Sequence, residues 1–107
     1  MEFPTLDELN LLHEQICQAV GDPKRIQILY ALHEKPRHVT ALAEALNTPQ
    51  PTISRHLAIL RQRNIVLTER VGTAVIYRLA DPRIITVLDT MRQLLRDALE
   101  RRINTVA

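Results

Sequence analysis

A mainly α-helical chain with a single small β-hairpin is the fold class this sequence predicts, on three observations. Apolar residues recur at helical spacing in five separate stretches. Proline paired with Asp or Thr punctuates the starts of three of them. Two short runs rich in β-branched residues flank Gly72.

Leu6, Leu9, Leu12, Ile16 and Val20 define the first helix, α1, over about 5–20, with Gly21-Asp22-Pro23 as its stop. Asp22 then caps α2, with Pro23 at its first position. Ile26, Leu29, Tyr30 and Leu32 or His33 lie on its inner face, and Pro36 closes it. Val39 to Leu46 is a short α3, burying Leu42, Ala43 and Leu46, with Asn47 at the turn. Thr48 is the expected N-cap of α4, where Pro49 and Pro51 fall in the first turn and mark a start, not a break.

Ile53, Leu57 and Leu60 form the apolar side of α4, while Gln50, Thr52, Arg55 and Arg63 project elsewhere, and Asn64 ends it in the left-handed conformation. Ile65 to Arg70 and Val75 to Leu79 form the strands β1 and β2. Asp81-Pro82 opens α5, where Ile84, Leu88, Met91, Leu95 and Ala98 make a seam flanked by Ile85, Leu94 and Leu99. That is more apolar surface than one small domain covers, so a second copy is expected on it. The chain reads as one domain, 1–107.

Composition narrows the function. A chain of 107 residues buries one modest core and leaves no room for a deep catalytic cleft. With one Phe, two Tyr and no Trp, the core must be aliphatic. Two glycines leave little material for phosphate-cradling loops, and no G-x-G-x-x-G or P-loop pattern is present. No Ser-His-Asp set or acidic dyad falls where a small helical domain brings residues together, so no enzyme is expected. Net charge is +2, but residues 1–22 sum to −5 and residues 49–79 to +4, which suggests one polyanion-facing surface.

Cys17 is the single cysteine, which suits a reducing, cytoplasmic setting. The acidic N-terminus is unlike a secretory signal, and no run approaches the ~18 apolar residues of a membrane span.

A short helix, an Asn turn, a proline-capped helix and a hairpin stand in the order of a winged helix-turn-helix, α1-α2-α3-α4-β1-β2-α5, with the helix-turn-helix at about 39–63 and the wing at about 65–79. In such a motif α4 enters the DNA major groove, while Arg70 and Thr73 of the wing reach the neighbouring backbone or minor groove.

The stretches "VGDPKRIQILYAL", "LAEALNTPQPTISRHLAILRQRNIV" and "ERVGTAVIYRL" resemble the arsenic-repressor (ArsR-type) regulators over nearly the whole chain. Asn64-Ile65 departs from the family's usual Gly-Leu, but Asn tolerates the same cap. The resemblance implies a homodimeric repressor binding double-stranded DNA at an inverted repeat and releasing it on sensing a ligand. Helices at about 5–20 and 82–103 would make the dimer, through Leu9, Ile16, Leu88, Met91 and Leu95. Gln50, Thr52, Ser54, Arg55 and His56 would lie on or beside the DNA-facing side of α4, and Thr40 would contact phosphate.

Arg55 is the favoured base reader. Ser54 is either a DNA contact or a hydroxyl bonded to its own backbone, and His56 either meets phosphate or packs against α3. Arg61 and Arg63 are backbone contacts or solvated charges.

Members of the family sense metals through thiolates near the start of α3 or through Asp and His on α5. Residues 38–46 hold no Cys and residues 81–107 hold no His or Cys, so no metal or other cofactor is expected at these sites, and a small-molecule or metal inducer stays unassigned. His13 and Cys17, four apart on α1, are the remaining candidate ligands, against the reading of Cys17 as a buried small hydrophobe and His13 as an interface histidine. The rival to operator binding is a winged-helix module that binds only protein.

Overall fold

The computed structural model describes residues 2–106. α1 starts where Thr5 caps it: the Thr5 backbone is extended and its hydroxyl accepts the Glu8 N–H at 3.2 Å. The helix runs as α over Leu6–Leu12, widens to a π-helix over His13–Cys17, where the Gln18 N–H reaches back to the His13 carbonyl, and returns to α over Gln18–Val20. The apolar spacing read as one continuous α-helix carries no sign of that widened stretch.

Gly21 keeps a right-handed φ of −79°, so it is Asp22 that breaks the helix, extended at φ −106° and ψ 127°. Pro23 imposes this, because its ring clashes with a helical preceding residue. Gly21 is there for space: a Cβ would stand 3.1 Å from the Cys17 carbonyl oxygen.

α2 is Pro23–Glu34, with Asp22 Oδ1 accepting the N–H groups of Lys24 at 2.8 Å and Arg25 at 3.2 Å. α3 is Val39–Ala45, capped by His38 Nδ1, which accepts the Ala41 N–H at 3.2 Å. α4 is Gln50–Gln62.

The cap of α4 is Pro49 rather than the expected Thr48. The Thr48 hydroxyl is occupied elsewhere, donating to the Leu46 carbonyl at 2.9 Å and accepting Lys24 Nζ at 3.0 Å. The Pro49 carbonyl instead takes the first N–H groups, those of Thr52 and Ile53. Pro51 then stands within the first turn, where no backbone donor is needed.

α3 and α4 end by the same device. Asn47 (φ 47°) and Asn64 (φ 59°) adopt the left-handed conformation. The following N–H groups, of Thr48 and Ile65, close back on the Ala43 and Leu60 carbonyls, each at 3.0 Å.

β1 (Val66–Val71) pairs antiparallel with β2 (Ala74–Leu79) in a register from Val66↔Leu79 to Val71↔Ala74. Gly72 at φ 63° makes the turn. Arg37 adds a rung unseen in the sequence: its N–H and carbonyl pair with Tyr77 at 3.1 and 2.8 Å, tying the α2–α3 link to the hairpin.

α5 is Arg83–Val106. At ~1.5 Å per residue its 24 residues span about 36 Å, so its second half runs past the body of a molecule measuring 55 × 38 × 21 Å.

Ile28, Leu29, Leu42, Ile53, Leu57, Leu60 and Val66 are fully buried and make α2, α3, α4 and β1 one body. Ile28 escaped the inner-face pattern of α2. Two further core members correct the expected seam. Leu88, placed on the dimer interface by the sequence, is 3% exposed within its own chain, and Ile85 is buried with it. α5 thus uses its first turns to close the monomer. Met91, Leu94, Leu95, Leu99 and Ile103 remain exposed, as do Leu6, Leu9, Leu11 and Leu12 on α1. Ile16 is half-buried against the core.

Candidate nucleic-acid interface

The two faces of α4 differ in kind. Ile53, Leu57 and Leu60 recur at i, i+4 and i+7 and are sealed from solvent by the core, which fixes the rotation of the helix about its axis. Gln50, Ser54, Arg55, Ala58 and Arg61 are then left facing outward, with Thr52 half-buried at the margin.

Several expected residues are brought together. Thr40, on the first turn of α3, shares a surface cleft with Gln50 at the start of α4, walled by Glu44, Asn47, Thr48 and Pro49. Ser54 and Arg61 share a second cleft with Tyr77 of β2. Thr40, Arg61 and Tyr77 meet again in a third between α3 and the hairpin. Arg70 and Thr73 line none of these. Arg70 stands opposite Val75 in the hairpin and Thr73 at its tip, both exposed.

His56 is half-buried, with Nδ1 3.2 Å from Arg25 Nη1, so its ring turns toward α2, away from the face that carries Arg55.

The arginines divide by employment. Arg37, Arg83 and Arg92 form ion pairs with Glu34, Asp81 and Asp89, and Arg25 hydrogen-bonds the end of α1. Arg55, Arg61, Arg70 and Arg78 have no ion pair among the described residues. Unpaired cations ringed by exposed hydroxyl and amide side chains suit a polyanion, since guanidinium forks match phosphate and the guanine edge.

Asp22 sits behind this face. Burial works against its ionisation, yet the Arg25 N–H, the Arg25 charge and the Lys24 N–H hold its carboxyl below the ordinary 3.8. It therefore stays ionised as the cap of α2.

Cys17 is exposed, contrary to the reading of it as a buried hydrophobe, and His13 stands exposed at the other end of the same π-helical stretch. No group of three or more His, Cys, Asp or Glu side chains placed to hold a metal ion occurs among the described residues. None of the described helices is long and apolar enough to cross a membrane.

Sequence reasoning missed Arg25 and Tyr77. For Arg25 the available signal was its place three residues after the cap Asp22, which turns a first-turn side chain back toward the preceding helix end. Tyr77 stood out only within the Tyr77-Arg78-Leu79 run that closes the wing, and its place beside α3 and α4 depends on the Arg37 rung.

Residues 22–68 match the arsR family of bacterial regulatory proteins. The HTH-type transcriptional repressor SmtB of Mycobacterium tuberculosis is 41% identical over 86 residues, covering 79% of this chain and 64% of SmtB. The HTH-type transcriptional regulator KmtR of the same bacterium is 34% identical over 96 residues, covering 90% of this chain and 68% of KmtR. The chain thus spans about two thirds of the length of these relatives. The solution structure of the homodimeric winged helix-turn-helix DNA-binding domain Mb0332 of Mycobacterium bovis superposes with a TM-score of 0.76 at 26% identity, covering 94% of this chain and 95% of that one. With the winged helix-turn-helix established by its own geometry and these likenesses alongside, the chain belongs to the arsR family of bacterial regulatory proteins.

Proposed function

We propose that this chain is a sequence-specific DNA-binding transcriptional regulator that represses from an inverted-repeat operator as a homodimer. The observation that carries this reading is the two-sided α4, whose apolar side is fully buried while Arg55 and Arg61 on the other side have no ion pair among the described residues. Gln50, Thr52, Ser54 and Arg55 contact base edges or flanking phosphates in the major groove, and Thr40 contacts phosphate. Arg70 and Thr73 clamp the neighbouring backbone from the wing.

Leu9 and Ile16 of α1 with Met91 and Leu95 of α5 form the dimer interface. The exposed apolar rows on both helices support it, as does the homodimeric state of Mb0332. Two copies present two α4 helices, which matches a palindromic site.

Fluorescence anisotropy with the DNA upstream of the chain's own gene tests the reading. Binding to that DNA should be at least ~10³-fold tighter than to scrambled DNA and should weaken steeply with salt. Equal affinity for both DNAs across the salt series would overturn it in favour of a protein-binding module.

A further inference from the structure

Arg25 joins three elements with one planar group. Its Nε donates to the Ala19 carbonyl and its Nη2 to the Gln18 carbonyl at 3.2 Å, both at the carboxyl end of α1. Its Nη1 stands 3.2 Å from His56 Nδ1, 31 residues away in the middle of α4. Its own N–H is held by Asp22 Oδ1.

The chemistry of this contact fixes the state of the imidazole. A guanidinium carries donors only and does not deprotonate, so His56 Nδ1 is the acceptor, and the ring is neutral with its proton on Nε2. The charged groups that act on this ring are the Arg25 guanidinium and the Asp22 carboxylate. Nε2 makes no hydrogen bond among the described residues, and no half-buried side-chain nitrogen among them is shut away from water without a partner, so Nε2 reaches solvent. His56 therefore holds the scaffold with one nitrogen and offers the other to solvent.

We propose that Arg25 and His56 are positioning residues, joined through Nη1 and Nδ1 so that the end of α1 and the middle of α4 move as one. This rests on the reading of α4 as the DNA-reading helix. Apolar packing between helices lets them slide by fractions of an ångström, but a rigid fork bonded to three acceptors on two helices does not let one move without the other. His56 directly follows Arg55 and Ser54 in the chain, so a rotation of α4 about this joint re-aims both outward side chains. α1 carries an exposed apolar row, so the joint links the helix that meets a partner to the helix that meets DNA.

Two substitutions of His56 separate the nitrogens. His56→Asn keeps an acceptor where Nδ1 stands, whereas His56→Gln carries its amide to where Nε2 stands. Operator affinity should stay near wild type in His56→Asn and fall about tenfold in His56→Gln and His56→Ala, near the low end of couplings between sites. Arg25→Lys should be as weak as His56→Ala, because a single ammonium cannot span the three acceptors. The double variant Arg25→Lys/His56→Ala should be no weaker than either alone.

In the free protein, backbone amide resonances of Ala19 and Val20 should shift in His56→Ala and stay in place in His56→Asn. If Gln rather than Asn preserves affinity, His56 acts on DNA directly and the proposal fails. It fails equally if the two substitutions add, or if the Ala19 and Val20 amides do not move. Loss of operator preference in the wild-type protein itself would instead remove the DNA-binding reading, and the amide shifts then decide alone whether α1 and α4 are joined.

Discussion

The Tyr30 hydroxyl of α2 donates to Asp89 Oδ1 of α5 at 2.6 Å, with the Arg92 guanidinium 5.1 Å from the centre of the tyrosine ring. The contact bridges 59 residues of chain and fixes α5 to the body two residues before Met91, where the helix leaves its own core. Burial first, and then the Asp89 carboxylate, push the Tyr30 hydroxyl above its ordinary value, so it remains a donor through the physiological range. Tyr30→Phe keeps the ring under Arg92 and removes only the hydroxyl. Differential scanning calorimetry at fixed protein concentration should show a fall of a few degrees. An unchanged or raised midpoint would mean that the contact does not hold α5.

Asn64 at φ 59° tests the cap of α4. Asn64→Ala should cost about 1 kcal/mol in urea unfolding, because a Cβ residue without a short polar side chain is strained in the left-handed region. Asn64→Gly should lie within about half a kcal/mol of wild type. Equal losses in both would point to the asparagine side chain rather than its backbone.

The opening of α5 is pH-dependent. Hydrogen bonds from Arg83, side chain first and backbone second, lower the Asp81 carboxyl to about 2. A depressed carboxyl stabilises the fold fully above its unfolded value of 3.8, and the contribution is lost progressively as pH falls from there through about 2. Asp81→Asn keeps an acceptor for the Arg83 N–H but loses the charge. Its stability deficit should be present at pH 6 and shrink to a small part of that near pH 2, and a deficit that keeps its full size in acid would assign the effect to the cap alone.

Leu88 and Met91 lie three residues apart on α5 but have opposite exposures, 3% and 53%. Leu88→Ala should cost about 3 kcal/mol of folding stability, as large-to-small changes in cores do, with the dimer retained. Met91→Asp should leave a folded monomer with little operator affinity, since a buried unpaired carboxylate is costly at an interface and one half-site binds weakly. Sedimentation equilibrium distinguishes them, and a Met91→Asp dimer would displace the interface from this part of α5.

Arg55 and Arg70 should fail differently on DNA. Arg55→Ala should cost about 1–3 kcal/mol on the operator and less on scrambled DNA. Arg70→Ala should weaken both alike and lower the salt slope by about 1 per contact, or about 2 in a symmetric dimer. The reverse pattern in a salt series would exchange the roles of helix and wing.

By itself the sequence determined what depends on local chemistry. Pro23 forces Asp22 to be extended, Asn47 and Asn64 accept left-handed backbone, Gly72 turns the hairpin, and Ile53, Leu57 and Leu60 set which side of α4 is buried. Each follows from sterics or periodicity within a few residues, so each was legible without a fold. The tertiary structure decided what depends on which distant group arrives first. Thr48 lost the cap of α4 because Lys24 and the Leu46 carbonyl already bind its hydroxyl. Leu88 left the expected seam because α2 and its neighbours closed over the first turns of α5, and His56 turned inward because Arg25 waits there. A side chain has one set of lone pairs and one surface, and only the assembled neighbours settle which of several locally allowed partners takes them.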